Sequence, residues 1–170
     1  MAETSAITDE MRAAIGKESE PVTVEVDKTA IRMFARAVGY TDLIYFDEEH
    51  AKSKGYRSLP CPMGFVGHPI FRPDRPSRPA YVMPFQSPFK RVLNGGTDFE
   101  YYEPICAGDV LTATTKVVDM VERTGGMGPM LFITSDTIYK NQQGRAVAKF
   151  RGTLIQYSDR QNVAAGLHPA

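Results

Sequence analysis

At 170 residues the chain suits one domain with a core large enough to stand without metals or disulfides. Twenty basic and twenty acidic residues cancel, leaving no global field for nucleic acid or an anionic membrane surface. No apolar run approaches the roughly 20 residues of a membrane span, and the first ten residues lack the basic and apolar regions of a secretory signal. The expectation is a cytoplasmic protein.

Thr8 or Asp9 caps a short first helix through Ile15, ended by Gly16. Val22, Val24 and Val26 then alternate with Thr23 and Glu25, the period of a half-buried strand. Asp27 to Gly39 predicts the central helix, with an N-cap aspartate and a C-terminal glycine. Lys28, Arg32 and Arg36 form one narrow stripe, and apolar residues cover nearly all the remaining circumference. The expectation is a helix of about 18 Å, wrapped by other elements so that only the stripe is exposed. Asp47, Glu48 and Glu49, then Lys52, Lys54 and Gly55, predict another helix over 48–54.

From Arg57 to Gly96 the chain holds eight of its twelve prolines, and a long excursion is expected, with a short helix around Met63 to Phe71. Between Ala51 and Thr97 eight basic residues, among them Lys90 and Arg91, face the single acid Asp74. From Thr97 onward the sequence reads as β-structure: Phe99 and Tyr101 alternate with polar neighbours, then come Val110–Glu122, Met130–Lys140 and Arg145–Tyr157. Asn141-Gln142-Gln143-Gly144 reads as a short hairpin loop. Strands this long exceed the usual length and are expected to twist and curve. The whole is an α+β hotdog architecture, a long central helix wrapped by a curved antiparallel sheet. It forms one domain over 1–157, with a Pro-rich basic insertion at 57–96 and a fraying tail at 158–170.

Two stretches carry a family resemblance. Phe99-Glu100-Tyr101-Tyr102-Glu103-Pro104-Ile105-Cys106-Ala107-Gly108-Asp109-Val110-Leu111 resembles the F-x-x-x-x-P-[LIV]-x-x-G-D-x-[LV] signature of MaoC-like hydratases and dehydratases. Pro60-Cys61-Pro62-Met63-Gly64-Phe65 is similar to their A-P-P-T-F segment. The Pro-rich insertion and Gly126-Met127-Gly128-Pro129-Met130 look most like the N-terminal-half type, which accompanies a catalytic half, fused or as a separate subunit. The physics of Pro104 and Gly108-Asp109 is architectural, ending one strand and turning into the next.

In active members the motif after the central helix is Gly-Asp-x-Asn-Pro-x-His. Its Asp and His activate a water that adds to the β-carbon of a trans-2-enoyl thioester, while backbone amides polarise the carbonyl. Here the register is kept as Gly39-Tyr40-Thr41-Asp42-Leu43-Ile44-Tyr45, with Ala51 downstream. Tyr40 stands where the Asp belongs and Tyr45 where the His belongs, and a phenol of pKa near 10 is a poor base at neutral pH. By the family motif, no catalytic residue remains. Asp42 is the one weak candidate, and it equally reads as a turn-former.

The resemblance implies an accessory subunit of a heteromeric enoyl-CoA or enoyl-acyl-carrier-protein hydratase/dehydratase, whose partner chain supplies Asp and His. Substrate-binding candidates are Tyr40, Tyr45, Met63, Gly64 and Phe65 at the acyl pocket, with Lys90 and Arg91 for coenzyme A phosphates or an acidic carrier. The tyrosines read equally well as packing residues, and the basic excess as a solvated loop. His50, His68 and His168 make no site, Cys61 and Cys106 make no disulfide framework, and no cluster has metal-ligand spacing. No metal or cofactor is expected, the thioester being the substrate. Alternatives are a homodimeric acyl-CoA-binding protein, a self-sufficient hydratase using Asp42, and a hotdog thioesterase. The last lacks any carboxylate between Lys28 and Thr41.

Overall fold

The computed structural model describes residues 5–70, 83, 85–126 and 128–158. The Thr8 hydroxyl accepts from the Met11 amide at 3.2 Å and starts α1 (Asp9–Ala14). β1 (Val22–Glu25) leads into α2 (Lys28–Ala37), where Asp27 accepts from the Ala30 amide at 2.9 Å. Gly39, at φ 80°, then turns the chain off the helix in a conformation that side chains disfavour. Asp47 caps α3 (Glu48–Ser53) in the same way, through His50 at 3.0 Å. Glu48 ties α3 to its neighbours by pairing with Lys28 of α2 and accepting from the Ser58 hydroxyl.

β2 (His68–Pro69), β3 (Arg91–Tyr101), β4 (Val110–Gly125), β5 (Gly128–Lys140) and β6 (Ala146–Tyr157) complete one antiparallel sheet of order β2-β1-β4-β5-β6-β3. In β4 the alternating residues Leu111, Ala113, Thr115 and Val117 are buried. A register shift between Val117 and Asp119 then resets the phase, so that Met120 turns inward. Such shifts let strands of up to 16 residues bend instead of projecting flat.

The concave face carries two separate cores. The first joins Ile31 of α2 and Ala51 of α3 to Val24, Leu111, Val147 and Ala148 from the sheet. The second joins Met11 and Ala14 of α1 to Phe85, Val117, Leu131 and Ile133.

Three expectations need correction. The sheet curves about α2 but covers one side of it, burying Ile31 and Ala35, with Ala30 and Phe34 half-buried. Met33 is 67% exposed and Val38 49%, so the apolar circumference outruns what this chain's single sheet can cover. With ten residues the helix is about 15 Å long. The helix expected around Met63 is absent from 63–70. The Phe65 amide closes a turn onto the Pro62 carbonyl, and His68–Pro69 pair with β1. Gly67 explains the choice, because a Cβ there would lie 2.4 Å from the Glu25 carbonyl oxygen, and only a bare backbone approaches β1 so closely. Finally, regular structure resumes at Arg91 and not at Thr97. Gly95-Gly96 sit at a bulge opposite β6 and hide the strand's period. Residues 71–82 and 84 of the Pro-rich segment, and the tail from 159, lie outside the described residues.

Candidate functional site

The site is built where α2 ends. The Tyr40 amide donates to the Ala35 carbonyl at 2.9 Å, and the chain then enters a short 3-10 turn, Leu43–Tyr45. Asp42 caps that turn, its Oδ1 accepting from the Ile44 amide at 3.0 Å. Tyr40 and Tyr45 close back on each other, with ring centroids 5.4 Å apart and planes 21° from parallel. Burial pushes the Tyr45 phenol above its ordinary pKa, and Tyr40, Asp42 and Tyr56 push it further the same way. It therefore stays protonated at neutral pH, a hydrogen-bond donor and not a base.

The Pro60–Phe65 segment approaches from the other side. The Cys61 amide donates to the Ile105 carbonyl at 2.7 Å, pinning the segment to the turn before β4. The Gly64 amide donates to the Tyr101 hydroxyl at 2.8 Å. Burial raises the Tyr101 phenol, an effect partly opposed by this amide and reinforced by Cys61 and Tyr40. Phe65 is buried, stacks on Phe34 at 5.1 Å and meets the His68 ring edge-on at 5.2 Å. Met63 is 63% exposed. A Cβ on Gly64 would touch the rings of Phe99 and Phe34 at 3.8–4.0 Å, so helix, loop and β3 converge here. Behind them Phe150 contacts Phe99 at 4.6 Å, Tyr139 at 4.9 Å and Tyr101 at 5.8 Å between ring centroids.

Two groups of sequence candidates thus occupy neighbouring turns: Tyr40, Asp42 and Tyr45 in one, Met63, Gly64 and Phe65 in the other. Lys90 and Arg91 do not join them. Arg91 pairs with Tyr157 at the far end of β3, ten residues or about 33 Å of strand from Tyr101. Tyr101 is the residue that sequence reasoning passed over, although it sits inside the Phe99–Leu111 signature. Its role depends on Gly64, a residue 37 positions away.

Asp109 is architectural, as its Gly-Asp context suggests. It is 3% exposed and accepts from the Cys106 amide at 2.9 Å and the Arg57 guanidinium at 2.6 Å, locking the turn into β4. Among the described residues no group of three His, Cys, Asp or Glu could hold a metal. No described helix is long and apolar enough to cross a membrane. At the end of α2 the arrangement offers phenols, which can donate to a carbonyl, with the Gly64 amide already held by the Tyr101 hydroxyl. The one carboxylate at hand, Asp42, is engaged in capping.

Residues 13–150 match the family described as FAS1-like, dehydratase domain region. The chain belongs to this MaoC-like dehydratase family. It is 34% identical over 116 residues to a UPF0336 protein of Thermobifida fusca (strain YX), covering 67% of this chain and 74% of that one. It is 24% identical over 149 residues to the probable enoyl-CoA hydratase alpha subunit of Thermomonospora curvata, covering 81% of this chain but 46% of that protein. Among solved structures, the truncated HadBC (3R-hydroxyacyl-ACP dehydratase) complex of Mycobacterium tuberculosis superposes with a TM-score of 0.67 at 23% identity. That match covers 84% of this chain and 96% of that one, and the shared fold is the hotdog.

Proposed function

We propose that this chain is the accessory half of a heteromeric hydratase/dehydratase acting on an enoyl thioester of coenzyme A or acyl-carrier protein. The carrying observation is the stacked Tyr40–Tyr45 pair at the two positions where active relatives need Asp and His. A phenol raised by burial cannot accept the proton of the attacking water. In this reading a partner hotdog chain activates water and adds it to the β-carbon. This chain lends its β3 edge, the exposed far side of α2 and the Gly64–Tyr101 region to the pocket. Lys90 and Arg91 meet the phosphates of the carrier across the assembled interface. Similarity to one member of a two-chain dehydratase complex, and to under half of a hydratase alpha subunit, supports the division of labour.

The test is hydration of a trans-2-enoyl-CoA panel, followed as loss of the conjugated thioester absorbance. The chain alone gives no turnover, and a hotdog partner bearing the intact Asp and His restores it. Asp42→Asn leaves the restored rate within about twofold, because asparagine caps as well as aspartate. Robust turnover by the chain alone, abolished by Asp42→Asn, would overturn the proposal in favour of a relocated acid.

A further inference from the structure

The two cores of the concave face do not meet. Between them runs a trough of about 660 Å³, a volume typical of small-molecule sites. Its sheet-borne lining sets Thr97 of β3, Thr115 of β4, Ser135 and Thr137 of β5 and Gln156 of β6 among the apolar Ile133, Tyr139, Phe150 and Leu154. The position is unusual for the polar ones, since the inner face of a curved sheet is where apolar side chains normally gather. The Thr115 and Thr137 hydroxyls bond each other at 2.8 Å, leaving further hydrogen-bonding capacity on each. In the same lining Gly152 offers space: among the described residues a Cβ there would meet only Thr97 Oγ1, at 3.9 Å, within 4 Å.

Gln156 supplies the deciding detail. It is 9% exposed, and its Oε1 has no hydrogen-bond partner among the described residues, while its amide nitrogen faces only the Met83 sulfur at 3.9 Å. A buried amide with an unused acceptor is unfavourable unless something completes it. At its other end the trough reaches Tyr139 and Phe150. Phe150 in turn touches Tyr101, the acceptor of the Gly64 amide. The trough thus ends against Phe150, one residue short of the site at the end of α2.

We infer that this trough selects an acyl group carrying oxygen functions along or beyond its chain, with a hydroxyl donating to Gln156 Oε1, in preference to a plain hydrocarbon. The inference rests on the proposed acyl-thioester role, and names its substrate class. A bare alkyl chain would strip water from the hydroxyls and from Gln156 without replacing those bonds, whereas a hydroxylated chain replaces them.

The test uses the full chain and two probes, lauroyl-CoA and its ω-hydroxy counterpart, titrated calorimetrically. The hydroxylated probe binds about tenfold more tightly, the value of one hydrogen bond to an otherwise unpaired buried group. Gln156→Leu or Thr137→Val erases that preference while retaining binding. Gly152→Leu fills the trough and abolishes binding of both probes, with the circular dichroism spectrum unchanged. Equal affinity for the two probes, tighter binding of the plain chain, binding of neither, or indifference to Gly152→Leu each overturns the inference. Turnover does not enter this readout. A preference that survives while no partner restores hydration would remove the accessory-subunit reading and leave the trough's selectivity standing.

Discussion

The sheet ends differently on its two sides. At one edge β2 is a two-residue strand containing Pro69, fastened to β1 by the close approach at Gly67. A strand so short, with a proline that has no amide to offer, is a poor template for further pairing. At the other edge β3 runs for 11 residues, ten of them exposed, with Val92 at 53% and Leu93 at 41%. Long exposed edges are what soluble proteins avoid unless something pairs with them. In the accessory role proposed above, the first edge is a terminus and the second the joint, while the α2–β1–β4 side carries the stability of the single chain.

Three measurements sharpen or break that contrast. The largest effect belongs to the covered side. Ile31→Ala, which empties a fully buried position, lowers urea-unfolding stability by about 3 kcal/mol. Met33→Ala, on the opposite face of the same helix, changes it by less than about 0.5 kcal/mol in the isolated chain. Equal losses would mean that the far face of α2 is covered within one chain.

Next comes the joint. Val92→Lys combined with Leu93→Glu weakens association with a hotdog partner by about 100-fold, close to 2.7 kcal/mol, read by analytical ultracentrifugation. The melting temperature of the chain itself does not move. A drop in melting temperature without loss of association would reverse the assignment of the two edges.

The smallest effect tests how β5 and β6 are held beside the joint. Asp136 is buried, accepts from Arg151 at 2.6 and 2.8 Å and pairs with Lys149 at 3.3 Å. Arg151 first, then Lys149, hold its carboxyl below the usual carboxylate range against the opposing effect of burial. A depressed folded-state pKa contributes stability that is complete above the unfolded value near 4 and is lost as pH falls through the lower folded value. Asp136→Asn therefore costs about 1 kcal/mol at neutral pH, and the gap to the wild-type chain closes under acid. A gap that persists unchanged at low pH would show that packing, not charge, holds the pair.

Much of this was legible in the sequence, for local reasons. Asp27, Asp47 and Gly39 act within a few residues of themselves, so helix starts and stops can be read directly. The alternation in β4 to β6 likewise reports which face is buried. Legibility ended where one residue's meaning depends on a distant one. The glycines at 95–96 weaken the strand signal, and only the register with β6 shows that Arg91–Asn94 belong to β3. The apolar circumference of α2 overstated its burial, because only the Ile31–Ala35 face meets the sheet while Met33 and Val38 are exposed. Tyr40 and Tyr45 can be read in sequence against the family motif, whereas their stacking, the Gly64–Tyr101 bond and the unpaired Gln156 emerge only once the strands are placed. Asp42 shows the converse: two uses were open in sequence, and the structure adds the hydrogen bond from Ile44 that the turn-forming use requires.

The strand order also governs how the chain can be made. β1 has no long neighbour until β4 exists, and the core under Ile31 is completed by Val147 and Ala148 of β6. The central helix must therefore wait until β6 has been made before its inner face is covered, on the order of ten seconds at ribosomal rates. A nascent chain stopped anywhere before β6 holds an unburied apolar helix and a sheet lacking its last ladders. Folding of this chain is thus dominated by non-local pairing. Truncation from the C-terminal side into β6 removes the native state as a whole instead of trimming it.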